Sequence, residues 1–176
     1  MKKLIAMTSV ALSLGAFADL KVGVVDMMAL VKGHPDYDRN KTLLTTTEKD
    51  YQKELDALKE SVEKIQEEGK KKAEQLRNPM LADAAKAGVE KELMAIQERY
   101  LGEQQKLRDK ALKSQRDLSE LEARLLRTQT EDLRKKIAAF AEKNGYDLVV
   151  DKAAALFAKD ALDVTDQVRG TLNAGK

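Results

Sequence analysis

A long heptad pattern dominates the middle of this 176-residue sequence and limits the folds that the chain can adopt. Between residues 40 and 140, apolar side chains recur at alternating spacings of three and four among many charged residues. Such spacing keeps one stripe of a helix facing a partner helix. In the first half of the pattern, the predicted seam consists of Tyr51, Leu55, Leu58, Val62, Ile65, Gly69, Lys72 and Leu76. Because glycine and lysine are poor seam residues, we expect the helix to pack loosely around residues 69–72 and to flex there.

The pattern stops at Asn78-Pro79, where a turn is predicted because the residue before proline avoids the α region. Asp83 is a candidate N-cap for a second helix, and Lys143-Asn144-Gly145 is a typical helix end. The predicted seam of the second helix contains Val89, Leu93, Ile96, Tyr100, Leu107, Ser114, Leu118, Leu121, Leu125 and Thr128, followed by Leu133, Ile137 and Phe140. At about 1.5 Å per residue, an outgoing helix of roughly 60 Å and a return helix of roughly 90 Å result. The last turns around Phe140 should therefore lie beside the base of the hairpin.

Two short β-like segments flank this hairpin, and its geometry brings them together. Lys21–Val25 reads KVGVV, and Tyr146–Lys152 reads YDLVVDK. An antiparallel hairpin returns the chain to its starting point, so the two segments can pair as strands. A third strand is predicted at Ala155–Ala158.

Short helices complete the predicted structure at the base of the hairpin. Asp26 is expected to cap a brief helix over Met27–Lys32, which Gly33-His34-Pro35 should end. Thr165 is expected to cap a final helix. The predicted fold is mostly α with a small β body, in which a long antiparallel coiled-coil hairpin is inserted between short strands. We expect residues 19–38 and 141–176 to form this body and residues 39–140 to form the arm.

The first eighteen residues have the composition of a secretory signal peptide. Lys2 and Lys3 precede an apolar run, and Ala16-Phe17-Ala18 fits a signal-peptidase site, so cleavage is predicted after Ala18. The apolar run is shorter than the roughly 20 residues that a membrane-spanning helix needs. Removing Lys2 and Lys3 from the 32 basic residues leaves 30, which equals the 30 acidic residues. This zero net charge argues against nucleic acid as a partner.

The sequence lacks the residues that several kinds of catalytic and binding site require. The sequence has no cysteine, which excludes disulfides and thiolate sites, and it has neither a phosphate-binding loop nor a dinucleotide fingerprint. His34 beside Asp36 and Asp38 is more simply a helix stop followed by an N-cap than a metal site. Asp26 and Asp151 each follow a Val-Val pair, and capping is a simpler role for them than a catalytic dyad. The sequence therefore predicts no enzyme activity, no cofactor and no metal.

The two ends of the chain resemble a known family. KVGVVDMMALV at residues 21–31, the long charged hairpin, and YDLVVDKAAALFAKDALDVTDQVRGTL at residues 146–172 together resemble the Skp/OmpH family of periplasmic chaperones. The DLVVD stretch, followed by a small-residue segment and a DVT helix start, is the specific part of this match. The hairpin is less specific because coiled coils resemble one another.

The resemblance implies a homotrimer whose short strands form a central body, with three hairpins around a cavity that holds unfolded outer-membrane β-barrel proteins without ATP. It places Val22, Val24, Val25, Leu148, Val149, Val150, Val164, Val168 and Leu172 in the oligomerisation body. Self-association also agrees with the predicted sheet, because three short strands with open edges bury little apolar surface. From the residues alone, Met80 and Leu81 at the turn are the exposed apolar pair that we predict as a client contact.

One departure from the family concerns charge. The best-known members are strongly basic, whereas this chain has nine basic and nine acidic residues over 40–80, and fourteen and twelve over 81–143. We therefore do not transfer the binding of anionic lipid or lipopolysaccharide from the family to this chain. The sequence predicts a periplasmic, ATP-independent holdase. The alternative is a structural coiled-coil spacer of the cell envelope, although such a spacer should have a persistent apolar seam and an anchoring element.

Overall fold

The computed structural model describes residues 20–172. The predicted signal peptide, residues 1–18, and its cleavage site after Ala18 lie outside the described residues. In chain order the elements are strand β1 (Val22–Val25), helices α1 (Met27–Lys32), α2 (Tyr37–Leu76) and α3 (Asp83–Asn144), strand β2 (Leu148–Asp151), two short 3-10 turns (Lys152–Ala154 and Asp160–Leu162) and helix α4 (Thr165–Leu172).

Helices α2 and α3 form the predicted hairpin, with 40 and 62 residues respectively. Every seam residue predicted in α2 is at least partly buried, and Ile65 is fully buried against α3. In α3 the prediction is confirmed as far as Leu125 but is wrong at Thr128, which is exposed. Gln129 is buried instead, because steps of four from Leu125 to Gln129 and on to Leu133 replace the predicted step of three.

The helix ends show which capping predictions hold. The Asp26 carboxylate accepts the N–H of Ala29 at 2.8 Å, which confirms its predicted role at the start of α1. Gly145 ends α3 with φ at +67°, a left-handed conformation that favours glycine. Asp83 is the first residue inside α3 rather than its cap, and Ala82 holds the cap position. Thr165 is likewise the first residue of α4, so its predicted capping role is wrong.

The strands pair as predicted, and the chain direction makes them parallel. Val22 lies opposite Leu148, and Val25 lies opposite Asp151. The last turns of α3 pass beside this sheet, where the Phe140 and Tyr146 rings stack with centroids 5.8 Å apart. The buried core of the body consists of Val25, Leu30, Val31, Leu133, Phe140, Val164, Val168 and Leu172. This core joins both ends of the chain to the final third of α3.

The predicted third strand is wrong within this chain. Residues 155–158 form neither a strand nor a bridge, because their backbone lies beside no strand of the described residues. A single parallel bridge between Val24 and Asp163 extends the sheet on the other side of β1, where the N–H of Val164 donates to the carbonyl of Val24 at 2.9 Å. Within residues 20–172, β2 therefore has one paired edge and one open edge.

Candidate functional site

An open apolar groove of about 880 Å³ lies in the body between α1, α3 and β2. Helix α1 contributes Met27 and Met28 at its amino end, and β2 contributes Val149 and Val150. The principal apolar residues of the groove are Met27, Met28, Val31, Leu126, Ile137 and Val149. Because methionine adapts its shape readily, this groove can accommodate apolar side chains of different shapes.

Leu156 and Phe157 follow β2 and are both exposed, Leu156 fully. They stand on the connection between the two short 3-10 turns, where the chain makes no sheet contact. A neighbouring pair of large exposed apolar residues is unusual on the surface of an isolated soluble chain. Sequence reasoning missed this pair because it placed both residues inside the predicted third strand.

The residues predicted for the oligomerisation body fall into two groups. Five of them are buried in the chain's own structure, namely Val24, Val25, Val164, Val168 and Leu172. The other four are Val22, Val149 and Val150, which are partly buried, and Leu148, which is exposed. Their contact with another copy stays a prediction, and the three on β2 lie along its open edge.

His34 fixes the junction between the body and the hairpin. The backbone N–H of Asp36 donates to Nδ1 of His34 at 3.1 Å, so Nε2 carries the ring proton and donates to Oδ2 of Asp132 at 3.0 Å. Lys136 also contacts this carboxylate at 3.1 Å. The hydrogen bond from His34, followed by that from Lys136, lowers the pKa of Asp132 below its usual value. Sequence reasoning treated His34 only as part of a helix stop.

A second polar cluster ties α4 to the sheet. The Asp163 carboxylate accepts the N–H of Thr165 at 2.9 Å and the Lys152 ammonium at 3.1 Å. The hydroxyl of Thr165 accepts the N–H of Asp26 at 2.8 Å. The hydrogen bonds from Thr165, assisted by Lys152, lower the pKa of Asp163 to about 2. Asp163 therefore takes the capping role that was predicted for Thr165.

Polar contacts between α2 and α3 supplement the seam along the arm. Lys72 contacts Glu92 at 2.5 Å, and Arg99 contacts Glu68 at 3.1 Å. Lys110 pairs with Glu54, and the Tyr51 hydroxyl donates to Asp117 at 2.9 Å, which raises the pKa of Tyr51. Since these contacts are all at least partly accessible to solvent, each is weak, and together they define the register of the helices more than they stabilise the hairpin.

Met80 and Leu81 lie at the tip of the hairpin, where the sequence places them. Met80 is 89% exposed, whereas Leu81 is partly buried, so only Met80 is fully available as a contact. The N–H of Met80 donates to the Asn78 side chain at 3.0 Å, which holds the turn. A client contact at this pair stays a prediction.

The groups considered for chemistry have structural roles in this fold. Asp151 accepts the N–H of Ala153 at 3.1 Å, so Asp26 and Asp151 both cap short helical turns. Within residues 20–172, no three histidine, aspartate or glutamate side chains are grouped as a metal site would require. None of the helices in the same range combines the length and apolarity needed to cross a bilayer.

Comparison with known proteins agrees with this architecture. The sequence profile of the family described as "Outer membrane protein (OmpH-like)" matches residues 21–172. This chain belongs to the OmpH-like family. The match includes both strands, the whole hairpin and α4, and membership of this chaperone family supports a chaperone role for the chain.

A crystal structure from Caulobacter crescentus CB15 has the same fold. Its protein, described as a candidate OmpH-like outer membrane chaperone, superposes with a TM-score of 0.64 at 16% sequence identity. The likeness covers 88% of this chain and 85% of the Caulobacter chain. No curated protein matches the sequence significantly.

Proposed function

We propose that this OmpH-like chain is an ATP-independent periplasmic holdase that binds unfolded outer-membrane β-barrel proteins and prevents their aggregation. The observation that carries the proposal is the hairpin itself. Its two helices extend for roughly 60 Å beyond a small body, and their surfaces carry both signs of charge with scattered apolar groups. Such a surface makes many weak contacts and imposes no fixed conformation on a bound chain.

Self-association of the body is the second part of the proposal. The body has a small core of its own, and it carries the open apolar groove, the open edge of β2 and the exposed pair Leu156 and Phe157. Covering them with another copy removes apolar surface from water and satisfies an unpaired strand edge. We propose a homotrimer, the assembly that the family resemblance implies.

The division of the chain follows from this proposal. Residues 1–18 direct secretion and are removed after Ala18, residues 19–38 and 141–176 form the oligomerisation body, and residues 39–140 form the arm. Three arms from one body enclose a shared space. An unfolded client inside it is shielded from the strand-edge pairing that leads to aggregation.

Aggregation of a β-barrel protein tests the proposal directly. A urea-unfolded outer-membrane β-barrel protein is diluted into buffer with increasing amounts of the purified mature chain, and light scattering is followed. We expect suppression that saturates near one client per three chains. A helical, folded chain that leaves scattering unchanged at every ratio would favour the envelope spacer instead.

A further inference from the structure

An apolar stripe runs along the arm on a face that the seam does not use. In α3, the large apolar side chains that remain exposed are Met94, Leu101, Leu112 and Leu126. With about 100° of turn per residue, all four lie within about 40° of one line along the helix. This line is about 120° around the helix from the seam. Since the four residues share one narrow sector of the helix surface, they form an exposed apolar face of α3.

The stripe leads from the arm into the body. Leu126 lies on the same line and also lines the apolar groove, and the groove residues Thr130, Ile137 and Ala141 continue this line. We call the outer residues Met94, Leu101 and Leu112 the α3 stripe; they are 56% to 71% exposed. Together with the groove, the stripe spans about 70 Å.

The apolar residues of the α3 stripe are too sparse to form a coiled-coil seam with another helix. They are separated by seven and eleven positions, or about 10 Å and 16 Å along the axis. A coiled-coil partner needs apolar residues about every three and a half positions. The intervening positions on this face hold Glu98, Gln105 and Arg108. The face therefore suits a partner that presents separate apolar side chains at variable intervals, as an unfolded chain does.

The charges beside the stripe define that partner further. Within about 40° of the line, Glu90 and Glu98 flank its outer part and Arg108 and Arg116 flank its inner part. Among the described residues, the arginines in ion pairs are Arg39, Arg99 and Arg169, so the guanidinium groups of Arg108 and Arg116 are not engaged by a carboxylate. Arg108 and Arg116 therefore make the inner part of the stripe complementary to apolar client residues that have acidic neighbours.

We propose that the α3 stripe is the principal contact of the arm for unfolded client chains, and that its inner end selects apolar segments flanked by carboxylates. This inference rests on the proposed holdase function and identifies the surface that performs it. Because its side chains are exposed, replacing them leaves the seam and the body core in place.

The test compares a stripe variant with a matched control. Met94→Gln, Leu101→Gln and Leu112→Gln are combined, and affinity for a urea-unfolded outer-membrane β-barrel protein is measured by fluorescence anisotropy. We expect each change to weaken binding about threefold, and the three together about 30-fold, since weak contacts multiply. Leu43→Gln, an exposed leucine of α2 outside the stripe, is the single-site control for Leu112→Gln and should leave affinity unchanged.

The outcomes separate this inference from the proposed function. If wild-type chain binds the client and the triple variant binds it equally well, the stripe assignment is wrong while the holdase proposal stands. If wild-type chain does not bind, both are wrong. A change in the native mass of the triple variant without client would show that another copy covers the stripe, which would also overturn the inference. Methyl NMR provides an independent measurement, because client should shift the methyl signals of Met94, Leu101 and Leu112 but not those of Leu43.

Discussion

The body and the arm of this chain are held together by different interactions. The body buries a continuous apolar core that joins segments from both ends of the sequence to α3. Outward from the body, between α2 and the part of α3 that pairs with it, the buried apolar residues are Ile65 and Ile96. Ser114 is buried there as well, and the rest of this interface consists of partly buried side chains and solvent-accessible ion pairs. Cooperative stability therefore resides in the body, while the arm is a weakly packed extension with a surface free for contacts.

Substitutions in the body core should lower the free energy of unfolding most. Leu133 is fully buried where α3 meets the body, so Leu133→Ala should lower the free energy of unfolding by about 3 kcal/mol. Ile96→Ala, in the arm, should cost about 2 kcal/mol, since solvent-facing neighbours can relax into the space. Urea unfolding followed by circular dichroism measures both. Equal losses at the two sites would remove the proposed difference between body and arm.

The junction between the two regions should be next in sensitivity. His34→Ala removes a buried ring that is hydrogen-bonded through both nitrogens, and we expect a loss of about 1.5 kcal/mol. Lys136→Ala removes the more exposed partner of the same carboxylate and should cost less than about 0.5 kcal/mol. Thermal unfolding of the two variants provides the comparison, and a larger loss for Lys136→Ala would contradict the role assigned to His34.

Low pH should lower the stability of the body because it protonates the Asp163 carboxylate. Its folded-state pKa, about 2, lies below the usual value of 3.8, so the stabilisation is fully present above pH 4 and is lost as pH falls through 2. After allowance for solvent screening, we expect a contribution of about 1 kcal/mol. Asp163→Asn should show lower stability at pH 7 and a smaller decrease between pH 4 and pH 2. An unchanged pH dependence in this variant would show that other carboxylates dominate.

A substitution at Gly69, in the arm seam, should change stability least. A β-carbon at Gly69 would lie 3.3 Å from Cγ2 of Ile96, and this open part of the interface leaves the isoleucine room to move. Gly69→Ala should therefore stabilise the hairpin by about 0.5 kcal/mol through its higher helix propensity. Hydrogen exchange of the neighbouring α2 amides measures the change. Faster exchange in the variant would mean that the contact with Ile96 outweighs propensity.

The sequence predicted the periodic parts of the fold well. The hairpin, its turn at Asn78-Pro79 and the pairing of the two flanking segments follow from heptad spacing and chain length, which are local properties. The predicted third strand was wrong because a strand needs a neighbour, and residues 155–158 have none among residues 20–172. The bond from His34 to Asp132 joins residues 98 positions apart, so no local pattern could reveal it.

The candidate contact surfaces were harder to predict than the fold. Met80 was identified because a turn between long helices must be exposed. The predicted seam already leaves out Met94, Leu101 and Leu112, but a seam alone does not show whether the apolar residues off it are exposed or covered by another part of the chain. The structure shows that all three are exposed.

The proposed trimeric holdase can be tested by native mass spectrometry of the mature chain mixed with one unfolded outer-membrane β-barrel protein. We expect one dominant species that contains three copies of the chain and one client, formed without nucleotide. The same species should be lost when Leu156→Asp and Phe157→Asp are combined, because the body can then no longer assemble. A wild-type chain that stays monomeric, or a trimer that never retains client, would contradict the proposed trimeric holdase.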